Sequence, residues 1–235
     1  MRRVTTEFVG TFFLVLTVAC SVRAGAALAP LAIGAVLAAL VFAGGHVSGA
    51  HYNPAVTLAV LLRGGIALRE VPGYVGAQVV AAVTAGALGR FLVPTAAGAP
   101  LSLAGDRVLA AVVAEALVTA ALAYVVLNVA TSSDHPGNHF YGLAIGFTVL
   151  AGAVAVGPVS GGAFNPAVAA GAASAGLVPW SLLWVHVVGD LVGGAAAAAL
   201  FRALNPQEWA PAPGGDATVP AQRSPQPAAA DVAAS

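Results

Sequence analysis

Hydrophobic stretches long enough to cross a membrane alternate with short polar breaks along most of this 235-residue chain. Between Ala24 and Leu62, and again between His135 and Gly189, there is no Asp, Glu, Lys or Arg. Each of these gaps exceeds the roughly 20 apolar residues with which a helix crosses a bilayer. The pattern predicts six spans, at about residues 4–23, 31–46, 71–93, 106–130, 139–157 and 178–203.

The composition places the chain in a membrane. Hydrophobic residues make up 59% of it and charged residues only 8%, whereas about a quarter of the residues of a soluble domain are charged. The net charge is zero and every basic residue is arginine, so no basic patch indicates nucleic acid as a partner. The sequence has no metal-ligand cluster, no catalytic set and no phosphate loop, so we expect neither an enzyme nor a cofactor.

The C-terminal end has a different composition. Residues 205–235 hold six of the fifteen prolines, together with Ala, Gly, Gln and Asp. A segment of this kind has too little apolar surface to fold around a core. The sequence therefore predicts a membrane domain over residues 1–204 and a disordered tail over 205–235.

One motif occurs twice, as "SGAHYNPAV" at 48–56 and as "SGGAFNPAV" at 160–168. A glutamate precedes each copy inside an apolar span: Glu7 lies 46 residues before Asn53, and Glu115 lies 50 residues before Asn165. The chain is thus two copies of one plan, over about 4–93 and 106–203. Three spans per copy is an odd number, so the second copy inserts upside down, as in proteins whose site lies where inverted repeats meet.

Each Asn-Pro-Ala triplet predicts the start of a helix. Asn is among the best N-cap residues, and Pro is favoured at the first helical position. Only about ten apolar residues follow Asn53 or Asn165, which at 1.5 Å per residue cover half of the bilayer core. We expect two half-helices whose N-termini meet in the middle of the membrane and repel cations. The preceding "GGHVSGAHY" and "GPVSGGAF" are predicted as non-helical backbone that offers carbonyl acceptors to a wet cavity.

These segments resemble the aquaporin (major intrinsic protein) family over about residues 4–204. Further parts of the resemblance are the paired "TTEFVGTFF" and "VAEALVTAA", "YVGAQVV" at 74–80 and "VGDLVGGA" at 188–195. The resemblance implies an all-α membrane fold of six transmembrane helices and two half-helices around one pore per subunit, with four subunits per assembly. It implies that the pore motifs are Asn53, Pro54, Ala55, Asn165, Pro166 and Ala167.

The family usually has an Arg directly after the second triplet, where this chain has Val168. Spacing from the motifs puts the other three constriction positions at Ile33, Ala153 and Gly162. Without the charge and donors of an Arg, this constriction is expected to be wider and more apolar than a strict water filter. We predict passage of water and of small neutral solutes such as glycerol, urea, ammonia or hydrogen peroxide.

Several polar residues lie inside the predicted spans, where ionisable groups are costly and usually functional. The resemblance implies that Glu7 and Glu115 hold the half-helix loops, with a proton relay as the alternative. We expect His46 and Gln78 to support the same loops by bonding backbone groups.

Asp190 stands where the family usually has Pro, four residues after His186. The two side chains share a helix face, so we expect them to pair. A gating or pH-sensing role is the alternative interpretation of Asp190.

The arginines predict the orientation in a plasma or inner membrane. With both termini cytoplasmic, six arginines lie inside, which agrees with the positive-inside rule; they are Arg2, Arg3, Arg63, Arg69, Arg202 and Arg223. Three lie outside, namely Arg23, Arg90 and Arg107.

Two other function classes stay open on the residues alone. An ion-coupled transporter with inverted repeats would use Glu7, Glu115 and Asp190 as coupling sites, although no acidic residue or Lys lies near either triplet in sequence. A membrane scaffold with a closed pore is the third class.

Overall fold

A computed structural model describes residues 1–209, and within that range it contains helices and turns but no strand. Six helices are long and apolar enough to cross a membrane, alone or with a short flanking turn. They are α1 (Arg2–Arg23), α2 (Ala29–Ser48), α4 (Val71–Leu92), α5 (Asp106–Val126), α6 (Tyr141–Ser160) and α8 (Leu183–Leu204). Two short helices, α3 (Pro54–Arg63) and α7 (Pro166–Ser174), lie between them. The predicted all-α fold of six spans and two half-helices is confirmed.

The helix ends follow local sequence chemistry. A Pro lies in the first turn of α2, α3 and α4, where its missing N–H costs nothing. Helices α2 and α6 end at Gly49 and Gly161, which adopt the left-handed conformation with φ of +87° and +91°. Glycine enters this conformation without a steric penalty, so it stops each helix and turns the chain back towards the half-helix.

The packing of the helices repeats with inverted symmetry. Helix α1 packs against α2 and α4 in the first half, and α5 packs against α6 and α8 in the second. Each half-helix crosses to the other half: α3 packs on α8, and α7 packs on α4. The two halves are therefore interlocked, and α2 and α6 meet between them.

Two glycines allow α2 and α6 to approach closely. A Cβ at Gly34 would lie 2.7 Å from the Gly146 carbonyl oxygen, and a Cβ at Gly146 would lie 2.3 Å from the Gly34 carbonyl oxygen. Both distances are shorter than any tolerated carbon–oxygen contact, so only glycine fits at either position. In lipid, such close backbone contact replaces the hydrophobic drive for helix association.

Three boundaries differ from the prediction. The helical parts of α2 and α6 run through Ser48 and Ser160, so the irregular backbone is shorter than predicted, at 49–52 and 161–164. At the start of the tail predicted from residue 205, Pro206–Trp209 forms a 3₁₀ turn whose Glu208 pairs with Arg63 at the end of α3. The rest of the predicted tail lies outside the described residues.

Candidate functional site: a central pore

The two half-helices begin at capped asparagines. Asn53 Oδ1 accepts hydrogen bonds from the backbone N–H groups of Ala55 at 2.8 Å and Val56 at 3.3 Å. Asn165 Oδ1 accepts the equivalent bonds from the second and third residues of α7, at 2.9 and 3.4 Å. The side-chain oxygens thus satisfy N–H groups that a helix start leaves unpaired.

The amide nitrogens of the same asparagines join the two loops. Asn53 Nδ2 donates to the Phe164 carbonyl at 2.9 Å, and Asn165 Nδ2 donates to the Tyr52 carbonyl at 2.8 Å. Each amide carries a second N–H. Both asparagines line the central cavity, so this second donor is available to a molecule that passes.

The loops before the two asparagines have the same strained backbone conformation, and each strained residue of the first loop has its counterpart 112 positions later in the second. The residues with positive φ are Gly49, Ala50 and Tyr52 in the first loop and Gly161, Gly162 and Phe164 in the second. The left-handed conformation costs a non-glycine residue of order 1–3 kcal/mol and persists only where surrounding structure enforces it. Ala50, Tyr52 and Phe164 therefore mark places where other contacts hold the loop.

The buried carboxylates supply those contacts. Glu7 accepts hydrogen bonds from Ser48 Oγ at 2.7 Å and from the backbone N–H groups of His51 and Tyr52 at 3.0 and 2.7 Å. Gln78 Nε2 adds a fourth bond to Glu7 at 2.8 Å. These bonds fix the first loop from behind, away from the cavity.

Glu115 has the same arrangement in the second half. It accepts from Ser160 Oγ at 2.6 Å and from the backbone N–H groups of Ala163 and Phe164 at 3.1 and 2.6 Å. Both glutamates are fully buried. A carboxylate that receives three or four hydrogen bonds is well satisfied in a dry interior.

His46 does not take the predicted supporting position. Its side chain is exposed on α2 and forms no hydrogen bond to the part of the chain that the structure describes. His51, within the loop, is buried: its Nδ1 is 3.1 Å from Thr57 Oγ1, and its ring contacts that of Tyr74. The helical extension of α2 to Ser48 turns His46 away from the loop.

A cavity of about 460 Å³ runs along the loops and between the long helices. Its walls are mostly apolar and come from both halves; among them are Leu14, Val18, Leu37, Leu122, Val126 and Val149. The carbonyl groups of 49–51 and 161–163 accept no hydrogen bond from the described residues. All of these residues except Gly49 line the cavity, so backbone acceptors without a donor from the described residues lie next to it, beside the two asparagines.

All four predicted constriction residues line this one cavity; they are Ile33, Ala153, Gly162 and Val168. No Asp, Glu, Lys or Arg of the described residues lines it, and its titratable side chains are those of His51, Tyr52 and His186. A passing molecule therefore meets no fixed ionic charge and few side-chain donors at its wall.

The expected pairing of Asp190 with His186 is wrong. His186 Nε2 is 2.9 Å from the Ser160 carbonyl, whereas Asp190 Oδ1 accepts from Thr119 Oγ1 at 2.8 Å. Glu115, one turn before Thr119 on α5, lies beside this part of α8: a Cβ at Gly189 would be 2.9 Å from the Cβ of Glu115. The close packing of α5 on α8 brings partners from another helix to Asp190, and they replace the neighbour one turn away.

Three structural residues were not predicted. The two serines, Ser48 and Ser160, each bond the glutamate of their half, and their presence in both copies of the motif was the available signal. Arg23 is buried and donates to the carbonyls of Val93, Pro94 and Ala175, each at 2.6 Å. Its partners lie far apart in the sequence, so no local pattern indicated them.

Known proteins resemble this chain along nearly its whole described length. The profile of the family described as "Major intrinsic protein" matches residues 1–201. Aquaporin NIP1-4 of Oryza sativa subsp. japonica is 36% identical over 213 residues, which cover 87% of this chain and 77% of that protein. Glycerol uptake facilitator protein-like 6 of Lactiplantibacillus plantarum is 36% identical over 218 residues, which cover 88% of this chain and all of the relative.

A solved structure has the same fold. The X-ray structure of the aquaglyceroporin from Plasmodium falciparum superposes with a TM-score of 0.74 at 20% sequence identity and covers 88% of this chain and 98% of that one.

Proposed function

The chain belongs to the major intrinsic protein family, and from that premise we propose that it is a passive channel for water and small uncharged solutes. The single observation that carries the proposal is one cavity that both halves line, with apolar walls and with two asparagines and loop residues whose carbonyls accept no hydrogen bond from the described residues. A neutral molecule can exchange hydrogen bonds with these carbonyls and amides one after another, while the apolar walls form no hydrogen bonds with it. The relatives named as an aquaporin and as a glycerol uptake facilitator fit this substrate class.

The channel reading fits the described residues better than the two alternatives. An ion-driven transporter needs charged coupling groups where the ion binds, and the candidate carboxylates Glu7 and Glu115 are instead occupied by hydrogen bonds to the loops. A scaffold with a closed pore does not require a cavity of about 460 Å³ beside loop carbonyls that accept no hydrogen bond from the described residues. An enzyme would need reactive groups, and family membership points to passive transport instead.

We propose that Ile33, Ala153, Gly162 and Val168 form the selectivity constriction. All four residues are small or β-branched and none carries a side-chain donor, so the narrowest part of the pore loses little width to side chains. A solute such as glycerol or urea then passes with its hydrogen bonds directed to the loop carbonyls. Cations are excluded by the two half-helix N-termini, each worth about half a positive charge.

Stopped-flow light scattering on proteoliposomes tests this proposal with water, glycerol and urea. The wild type is expected to admit all three, and Val168→Arg is expected to abolish glycerol and urea entry while it retains water flow. Val168→Ile is the matched control, because it changes size slightly and adds no charge or donor. Water flow without glycerol or urea entry would show a narrower filter, and no flux of any solute would contradict the channel itself.

Proton exclusion needs its own measurement. A pH-sensitive dye inside the same vesicles is expected to show no proton entry beyond that of empty liposomes. A leak in the wild type would contradict the proposed exclusion by the half-helix dipoles.

We propose that the subunits assemble as a homotetramer. The exposed side of α2 carries a row of small residues, Ala35, Ala39 and Ala43, followed by the exposed His46. Small residues let helices approach closely in lipid, and a polar side chain on such a face is better placed against another subunit than against acyl chains. Cross-linking of a His46→Cys variant in a Cys20→Ser background is expected to join subunits; monomers alone would contradict the assembly.

We propose that both termini face the cytoplasm in a plasma or inner membrane. Ion pairs Arg3–Glu70 and Arg63–Glu208 place arginines from α1 and α3 at one end of the bundle, beside the start of α4 and the end of α8. Arg23, at the opposite end of α1, is buried by backbone carbonyls and gives little orientation signal. A cysteine introduced at Ser133 is expected to react with impermeant reagents only from the cytoplasmic side.

A further inference from the structure

Asp190 is a fully buried acid, and neither of the residues beside its carboxyl group, Thr119 and Glu115, carries a positive charge. Thr119 Oγ1 donates to its Oδ1 at 2.8 Å, while its Oδ2 is buried and receives no hydrogen bond from the described residues. Glu115 lies one turn before Thr119 on α5, and a Cβ at Gly189 would lie 2.9 Å from the Cβ of Glu115, so the carboxyl groups of Glu115 and Asp190 are neighbours. Two carboxyl groups in contact repel unless a proton lies between them.

The inverted repeat identifies what this position does. At the offset of 112 positions, Asp190 corresponds to Gln78, whose Nε2 donates to Glu7 at 2.8 Å. The residues around them correspond as well: Tyr74 Oη donates to the Ser48 carbonyl at 2.8 Å. In the second half, His186 Nε2 is 2.9 Å from the Ser160 carbonyl. The equivalent position in each half therefore carries the side chain that donates a hydrogen bond to the glutamate that holds the loop. The amide of Gln78 always has this donor, whereas the carboxyl group of Asp190 has it only when protonated.

The hydrogen bonds indicate which of the two acids holds the proton. Glu115 already accepts from Ser160 Oγ and from two loop N–H groups, which favours its ionised form. Asp190 receives one hydrogen bond of normal geometry, from Thr119, with the backbone N–H of Asn165 as a further weak donor, and its Oδ2 is left without a partner. The proton therefore belongs on Asp190.

We propose that Asp190 is a positioning residue that acts as a neutral carboxylic acid and donates its proton to Glu115, so that Glu115 holds the second half-helix loop. The pair carries one proton and one negative charge. Loss of that proton places two negative charges in contact inside the membrane and weakens the hold on Ala163 and Phe164. The second loop of this channel is thus sensitive to alkaline pH, whereas the first loop, held through Gln78, is not.

The surrounding charges leave this arrangement intact. Helix α5 presents Glu115 to Asp190, and α7, which also packs on α8, carries no titratable residue. On α3, Arg63 is engaged with Glu208 and Thr131 at the far end of the helix. His186 lies on the same helix as Asp190, with Nε2 3.9 Å from Glu115 Oε1 and 2.9 Å from the Ser160 carbonyl. It is the one group that could neutralise the pair in a different way, as an imidazolium.

Infrared difference spectroscopy of the full chain in lipid vesicles tests where the proton lies. The wild type at neutral pH is expected to show the carbonyl band of a protonated carboxylic acid, which shifts on exchange into heavy water and is lost in Asp190→Asn. The same spectrum without that band in the wild type would overturn the proposal and assign the charge balance to His186. The infrared band does not depend on transport. Its absence would therefore contradict the proposal for Asp190 without contradicting the proposed channel function, on which the flux measurement rests.

Variants of similar size separate positioning from packing. Asp190→Asn keeps a permanent donor and is expected to retain the wild-type melting temperature and water flux, and to lose the fall in both at alkaline pH. Asp190→Leu has no donor and is expected to lose at least half of the flux. The reciprocal Gln78→Glu is expected to create alkaline sensitivity in the first loop. The proposal is wrong if Asp190→Asn loses as much flux and stability as Asp190→Leu, or if it keeps the alkaline sensitivity. The second outcome decides the question even where Asp190→Leu does not fold.

Discussion

Asn53 donates its side-chain amide to the backbone carbonyl of Phe164, 2.9 Å away and 111 residues later in the chain. Its counterpart Asn165 returns the bond to the carbonyl of Tyr52 at 2.8 Å. Each acceptor is a residue with positive φ, held in place by a buried glutamate of its own half. The two half-helices therefore meet because each loop provides the acceptor that the other half's cap requires.

Replacement of Asn53 or Asn165 by Ala is expected to destabilise the fold and reduce water flow. Loss of an N-cap costs about 1 kcal/mol, and loss of a buried hydrogen bond costs about 1 kcal/mol more. Asn53→Asp keeps the capping oxygen but places a second carboxylate oxygen against the Phe164 carbonyl in a buried site, so it is expected to destabilise the fold at least as much as Asn53→Ala. Thermal unfolding and stopped-flow permeability measure both.

Asn128→Ala is the control for these variants. Asn128 donates to the Tyr124 carbonyl one turn earlier in the chain, outside the loops. Asn53→Ala and Asn128→Ala variants with equal melting temperatures and flux would contradict a special role for the bond between the loops.

Glu7→Gln is expected to be strongly destabilising although it changes one atom. Four donors converge on the two Glu7 oxygens, and a glutamine replaces one of those oxygens with an N–H₂ group that faces a donor. Hydrogen bonds to charged groups contribute about 1.5–3 kcal/mol, and a buried donor left unpaired costs a similar amount.

Glu70→Gln is the matched control for this substitution. Glu70 pairs with Arg3 at 2.7 Å on an exposed surface, where such pairs contribute about 1 kcal/mol at most. The melting temperature of Glu7→Gln should therefore fall well below that of Glu70→Gln. Equal melting temperatures would show that Glu7 does not hold the first loop.

Local chemistry explains why much of the pore could be predicted from sequence. The half-helix starts depend on residues within four positions of Asn53 and Asn165, and the capping bonds are formed by those residues. The apolar spans depend on length and composition alone. The resemblance to the family, with positions counted from the two motifs, then predicts Ile33 and Val168, 135 positions apart, at the cavity that they line.

What could not be predicted depends on how helices pack. His186 is near Asp190 along α8, but the partners of Asp190 come from α5, and no spacing in α8 indicates them. The pair of Arg63 and Glu208 joins residues 145 positions apart, and Glu208 lies in the segment whose composition predicted disorder. Likewise, a helix end that shifts by a few residues, as in α2, is enough to turn His46 outwards.

The Glu208 carboxylate is expected to stabilise the fold at neutral pH and to lose this effect in acid. Burial alone raises the pKa of Glu208, but the hydrogen bonds from Ser132 and Ser133 and the charge of Arg63 outweigh it, and the pKa lies below its ordinary value of 4.5. A lowered pKa favours folding above 4.5, and this contribution disappears as the pH falls through the folded-state value. The contribution is about 1 kcal/mol, because the side chains of Arg63 and Glu208 are largely covered but the pair lies at the end of the bundle.

Melting temperatures of wild type and Glu208→Gln, compared from neutral to acid pH, check this sign. The wild type is expected to be the more stable at neutral pH, and the difference is expected to close as the pH falls below 4.5. A difference that stays constant, or that widens in acid, would be inconsistent with the hydrogen bonds that Glu208 accepts.

Ala153→Phe is expected to convert a broad pore into a narrow one. Ala153 lines the cavity on α6, and a phenyl ring there extends towards Val168 and the loop at Gly162. The ring reduces the width available to glycerol and urea more than that available to water, because their cross-sections are larger. Swelling assays are therefore expected to show loss of glycerol and urea entry with most of the water flow retained.

Ala151→Phe separates this effect from general damage to α6. Ala151 lies two positions earlier and is exposed on the outside of the bundle, so the same ring is placed away from the cavity. This variant is expected to transport all three molecules like the wild type. If Ala153→Phe leaves glycerol entry unchanged, or if both variants lose water flow together, the narrowest part of the pore does not lie at Ala153.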